Sequence, residues 1–93
     1  MRFELLDLQT APEETATIRR LSALGIHWRV GVEAYRGITG WIGRLIFEPQ
    51  APGTRYAVRR GPVTLHGRTQ AEIIAAAHDL DERRLRELLY SLG

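Results

Sequence analysis

Apolar and polar positions alternate along the middle of the chain. Ile26, Trp28, Val30, Val32 and Ala34 form one set, and His27, Arg29, Gly31, Glu33 and Tyr35 the other. Alternation of this length, rich in Val, Ile and aromatics, predicts a strand. A second run sets Trp41, Gly43, Leu45 and Phe47 against Ile42, Arg44, Ile46 and Glu48. Arg36-Gly37 between the runs supplies the positive-φ residue of a tight turn, so residues 26–47 read as a β-hairpin. A two-residue loop at Arg36-Gly37 pairs Val32 with Trp41, Val30 with Gly43, Trp28 with Leu45 and Ile26 with Phe47. A four-residue loop from Arg36 to Thr39 keeps the same faces, whereas a slip of one residue would mix them. Both tryptophans are therefore expected in the core, with Gly43 leaving room for a ring.

The other face carries His27, Arg29, Glu33, Tyr35, Ile38, Ile42, Arg44 and Ile46. The two-residue loop sets Arg29 directly across from Arg44. Like charges in that position are destabilising, unless the guanidiniums splay into water beside Glu33 and Glu48 or an anion sits between them. The three isoleucines suggest a cover, either a helix or a second copy of the chain.

The flanks read as follows. Arg2 to Gln9 reads as a short strand or a helix turn, and the strand is preferred. Thr10-Ala-Pro-Glu13 is a capping-box pattern with Pro12 in the first turn, and it opens a helix. Ile18, Leu21 and Leu24 are its stripe, and Gly25 its end. Glu48 to Thr54 is a loop, Arg55 to Arg59 a third strand, and Val63 to His66 a short edge strand after Pro62. Thr69-Gln-Ala-Glu72 is a second capping box for a helix to about His78, with Ile73, Ile74, Ala77 and Leu80 inward. Asp79 to Glu82 starts another helix, whose stripe is Leu85, Leu88, Leu89 and Leu92. The expected fold is α+β. An antiparallel sheet of three or four strands surrounds the 26–47 hairpin, with one N-terminal helix and two C-terminal helices, and the latter are expected to cover the Trp28/Trp41 face.

Ninety-three residues fit one domain, 1–93. No cysteine is present, so disulfides and thiolate metal sites are excluded. No apolar run approaches a membrane span, and a soluble, cytoplasmic protein is expected. All 13 basic residues are arginine, and asparagine is absent as well. Lysine and asparagine have AT-rich codons, which points to a GC-rich bacterial genome rather than to arginines selected for phosphate geometry. Net charge is +2 but uneven: residues 26–68 hold seven arginines against two acids, and the flanks six against nine. A basic sheet half hints at an anionic partner without forming a dense nucleic-acid patch.

Candidate chemistry is sparse. His27, His66 and His78 lack metal-ligand spacing, so no metal or cofactor is expected. Ser22 and Ser91 have no base nearby in sequence, and no nucleophile elbow exists. Gly37, Gly40 and Gly43 precede no helix, so phosphate-loop fingerprints fail. Thr69 to Leu92 partly fits a helix-turn-helix, with Ala75, Leu80, Leu85 and the cap Asp81 in place. His78 and Asp79 depart from that pattern, whose recognition helix would carry Arg83, Arg84 and Arg86. Plain helix packing on the sheet is preferred, because Glu82 and Glu87 dilute the charge. The run from Tyr56 through Gly67-Arg68-Thr69-x-x-Glu72 to Ala77 resembles small antitoxin-like domains with a partial RNase-H-type sheet. That resemblance covers a quarter of the chain through turn and capping residues, and no function is drawn from it.

Three functions follow as expectations. The first is a non-catalytic interaction domain acting through a protein partner or as a homodimer, with Ile38, Ile42 and Ile46 in its interface. The second is a nucleic-acid or other anion binder using Arg29, Arg44, Arg55, Arg59 and Arg60, or the last helix. The third is an enzyme whose dispersed site would need a deep pocket holding His27, Tyr35 or His66 beside acids. The absence of a catalytic motif favours the non-enzymatic readings.

Overall fold

A computed structural model describes residues 12–92, and the strand expected at residues 2–9 lies outside them. Among the described residues five antiparallel strands form one sheet: β1 (Glu14–Ala23), β2 (Ile26–Arg36), β3 (Trp41–Pro49), β4 (Arg59–Arg60) and β5 (Leu65–Gly67). Two helices follow, α1 (Gln70–His78) and α2 (Glu82–Ser91). The strand order is β1-β2-β3, with β4 and β5 both paired to the far edge of β3. The expected α+β class, antiparallel sheet and two C-terminal helices are all present.

The expected N-terminal helix is instead a strand over Glu14–Ala23. The reason is a β-bulge. The β1–β2 register shifts between Thr17 and Arg19, so one extra residue enters β1. The extra residue turns a spacing of two into a spacing of three. Ile18 and Leu21 therefore imitate a helical stripe while both serve one sheet face. Thr15, Thr17 and Ile18 are β-branched and suit a strand. Gly25 ends no helix; it forms a turn with Leu24 between Ala23 and Ile26. Both turn residues have positive φ, 56° and 79°, as a two-residue hairpin turn of the right twist requires.

The central hairpin is present with a different loop. Gly37 to Gly40 form it, closed by the Gly37 amide donating to the Gly40 carbonyl at 2.7 Å. Arg36 now faces Trp41, Val32 faces Leu45, and Val30 faces Phe47. The shift from the two-residue loop is four positions in pairing sum, an even number, so the faces are preserved as parity demands. Trp28 is fully buried, and Trp41 is half-buried against the same core. Gly43 does leave room, but for Ile73 of α1 rather than for a ring. A Cβ at Gly43 would come within 2.6 Å of Ile73 Cγ2.

Helix α1 starts where its capping box predicts. Thr69 Oγ1 accepts from the Glu72 amide at 3.2 Å, and Glu72 Oε1 accepts from the Arg68 amide at 2.8 Å. Asp81 caps α2 by accepting from the Arg84 amide at 2.8 Å. Ile73, Ala77, Leu85 and Leu89 are fully buried and join Trp28, Val30, Val32, Leu45 and Phe47 in one core. The two helices thus cover the tryptophan face. The third strand expected at 55–59 is reduced to Arg59–Arg60, and the expected 63–66 strand is displaced to Leu65–Gly67.

Candidate functional site

The second sheet face carries the charges, and its register revises the expected arginine pair. Arg29 faces Glu48, and Arg44 faces Glu33, so Arg29 and Arg44 are not opposed. Arg29 donates through Nε to Glu48 Oε1 at 2.8 Å. At the centre of the face lies Glu33, only 5% exposed. Its Oε1 accepts from Arg44 Nε at 3.0 Å and from the Tyr35 hydroxyl at 3.1 Å, and Arg60 Nε reaches Oε2 at 3.4 Å. Arg44 Nη2 also donates to the Tyr35 hydroxyl at 3.1 Å, and its guanidinium carbon lies 5.6 Å from the centroid of that ring. One carboxylate therefore holds two guanidiniums and a phenol. The cluster satisfies itself, as a buried polar group must.

Burial raises the Tyr35 hydroxyl above its ordinary value of 10.0, and the Glu33 charge adds to the shift, against an opposing effect of Arg44. A proton is thus held more tightly in the folded chain than in the unfolded one. The stability this adds is present below pH 10 and disappears as pH rises through the folded value. Melting curves from about pH 9 upward should therefore fall more steeply for the natural protein than for Tyr35→Phe, which lacks the titrating hydroxyl. Parallel curves for the two proteins would show that the cluster does not hold that proton.

The expected anion-binding arginines do not form one patch. Arg44 and Arg60 belong to the Glu33 cluster. Arg59 lies on the core side, its guanidinium 5.5 Å from the ring centroids of both Trp28 and Tyr56, and it donates to the Leu89 carbonyl at 3.1 Å. Arg55 is exposed in the loop before β4. The interface isoleucines separate as well. Ile38 is 68% exposed at the hairpin tip, whereas Ile42 and Ile46 are 4% exposed. Arg83 and Arg84 pair with Glu87, and Arg86 pairs with Glu82.

The structure assembles a different group at the other end of the second face. Arg20 of β1 stands directly across from Arg29 of β2, and Ser22 across from His27. All four residues are exposed. Ser22 Oγ and His27 Nδ1 share a hydrogen bond at 3.2 Å. Arg86 comes round the edge of β1 from α2, donating through Nε to the Ser22 carbonyl at 2.9 Å and through Nη2 to Glu82 at 3.1 Å. Arg20, Leu21, Ser22, His27, Glu82 and Arg86 line an open cleft of about 230 Å³. Reading β1 as a helix conceals this group, because only a strand brings Arg20 opposite Arg29. The alternating β-branched pair Thr15 and Thr17 is the signal that could reveal the strand, and the bulge that follows hides its phase.

Elsewhere the chemistry stays dispersed. His66 lines a depression with the Gly37–Gly40 loop that contains no acid among the described residues. Among the described residues no group of three or more histidines and acids is placed to hold a metal, and no helix is long and apolar enough to cross a membrane. No protein-family model, curated protein or solved structure matches the chain.

Proposed function

We propose that the protein is a small non-catalytic binding domain that docks a nucleic-acid strand on the exposed end of its second sheet face. The supporting observation is the cross-strand pair Arg20–Arg29. Like charges directly opposed cost stability in the free chain, and a phosphate backbone laid across them converts that repulsion into attraction. Arg29 is already oriented by Glu48, so its guanidinium is ordered before a ligand arrives. Two or three neutralised phosphates give a salt slope of about −1.4 to −2.1 for a single strand. Anisotropy of a short labelled single-stranded RNA should therefore report binding that weakens about tenfold between about 50 and 200 mM salt. The Arg20→Ala/Arg29→Ala protein should lose it. Binding indifferent to salt, or retained by the double variant, overturns the proposal.

Self-association or a protein partner is the second reading, and exposed Ile38 at the hairpin tip supports it. Strand-to-strand pairing through β1 is disfavoured. That strand is bulged, carries Arg19 and Arg20, and has its Ser22 carbonyl taken by Arg86, all features that blunt an edge. A salt-resistant dimer in light scattering, unmoved by the RNA and lost in Ile38→Asp, would favour this second reading.

A further inference from the structure

We infer that the cleft at the β1 edge is a phosphodiester subsite, in which Arg20, the Ser22–His27 pair and Arg86 together grip one phosphate of the bound strand. The inference rests on the nucleic-acid reading above and places the strand's path. The strand crosses the Arg20–Arg29 pair and turns round the edge of β1 toward α2, away from the Glu33 cluster at the centre of the face.

Three features converge on the cleft. Arg20 lines it and has no ion-pair partner among the described residues, whereas Arg29 and Arg86 each have one acid. The Ser22–His27 bond leaves a donor free in either arrangement. If the serine hydroxyl donates to Nδ1, the ring's Nε2 carries the proton and is free to donate. If Nδ1 carries it, the hydroxyl proton is free. A neutral histidine beside a hydroxyl therefore always offers one N–H or O–H to an incoming oxygen. Arg86 is fixed by the Ser22 carbonyl and Glu82 through two of its nitrogens, and a guanidinium has five N–H donors, so it retains donors for a further acceptor. The bond to the β1 carbonyl holds that guanidinium at the rim. Three guanidiniums stand here against Glu48 and Glu82, so the surroundings are positive. Among the described residues Glu82 is the one acid lining the cleft, and it opposes an anion there.

The test uses the full chain and a short single-stranded RNA, read by anisotropy across a salt series. Arg20→Ala should weaken binding about tenfold and flatten the salt slope by about one. Glu82→Gln should tighten binding about threefold, the size expected for removing one exposed opposing charge. Arg55→Ala and Arg83→Ala, which remove the same charge elsewhere, should change affinity less than about twofold, on the order of an exposed, distant charge. Natural protein that binds RNA with an affinity unchanged by Arg20→Ala and Glu82→Gln would overturn the subsite and leave the nucleic-acid reading standing. Natural protein that shows no RNA binding at low salt would overturn both. Circular dichroism checks that each variant is folded, and the exposed position of Arg20 keeps its replacement clear of the core.

Discussion

Trp28→Ala is expected to cost about 3–5 kcal/mol of folding stability, the range for emptying a large aromatic from a packed core. Trp28 has no exposed surface. Its indole Nε1 donates to the Ala23 carbonyl at 2.9 Å, beside the Leu24-Gly25 turn. Tyr56 packs on it with ring centroids 5.6 Å apart, and Arg59 lies over its ring at 5.5 Å. One side chain therefore joins the β1–β2 turn, the long loop before β4, and the helix end that Arg59 reaches at Leu89. A domain of this size has about 5–15 kcal/mol in total, so the variant should be close to unfolded at physiological temperature. Trp28→Phe separates the two contributions. It keeps most of the apolar volume and leaves the Ala23 carbonyl without its donor, for a loss of about 1–3 kcal/mol. Urea denaturation followed by circular dichroism measures both. If the Ala and Phe variants are equally stable, the ring volume is not what holds these segments together.

Much of this core is legible in the sequence because parity is robust. The alternation from Ile26 to Ala34 assigns Trp28, Val30 and Val32 to one face under any loop of even length. The actual Gly37–Gly40 loop changes the partners without changing the faces. The capping box at Thr69 and the cap at Asp81 locate both helices, since each cap binds a specific amide of the first turn. What parity does not determine is register. A two-residue turn would oppose Arg29 and Arg44, and the real register gives each arginine its own carboxylate. Register depends on how Gly37 and Gly40 close the loop, which alternation does not encode.

The site is less legible than the fold, for a related reason. The bulge at Thr17/Arg19 disguises β1 as a helix, and with it go the pairings Arg20–Arg29 and Ser22–His27. Arg86 comes from a helix 64 positions away in sequence, and its bond to the Ser22 carbonyl forms only once α2 is packed against the sheet. Arg44 and Arg59, two of the arginines that composition alone offers to an anion, are structural. One is bound to a buried acid, and the other is stacked on the core aromatics.

Replacing Glu33 should produce the second large effect, and the direction depends on what is removed with it. Glu33→Ala leaves Arg44, whose side chain is 18% exposed, without its carboxylate, and removes the acceptor of the buried Tyr35 hydroxyl. Breaking a fully buried ion pair costs about 3–5 kcal/mol. Arg60 is half-exposed and can turn to water, and Arg44 keeps its contact with Tyr35, so a loss of about 2–3 kcal/mol is expected here. That corresponds to a drop in melting temperature of roughly 10–20 °C for a domain of this length. Removing both charges is a different matter. Glu33→Leu/Arg44→Leu replaces the pair by apolar side chains between Ile42 and Ile46, and should recover most of the loss, because no guanidinium is left desolvated and unpaired. A double-mutant cycle on Glu33 and Arg44 reads this directly: the two single variants should each be far less stable than the double variant. Additive losses in the cycle would mean that the two groups act independently, and that the buried carboxylate is held by Tyr35 and Arg60 instead.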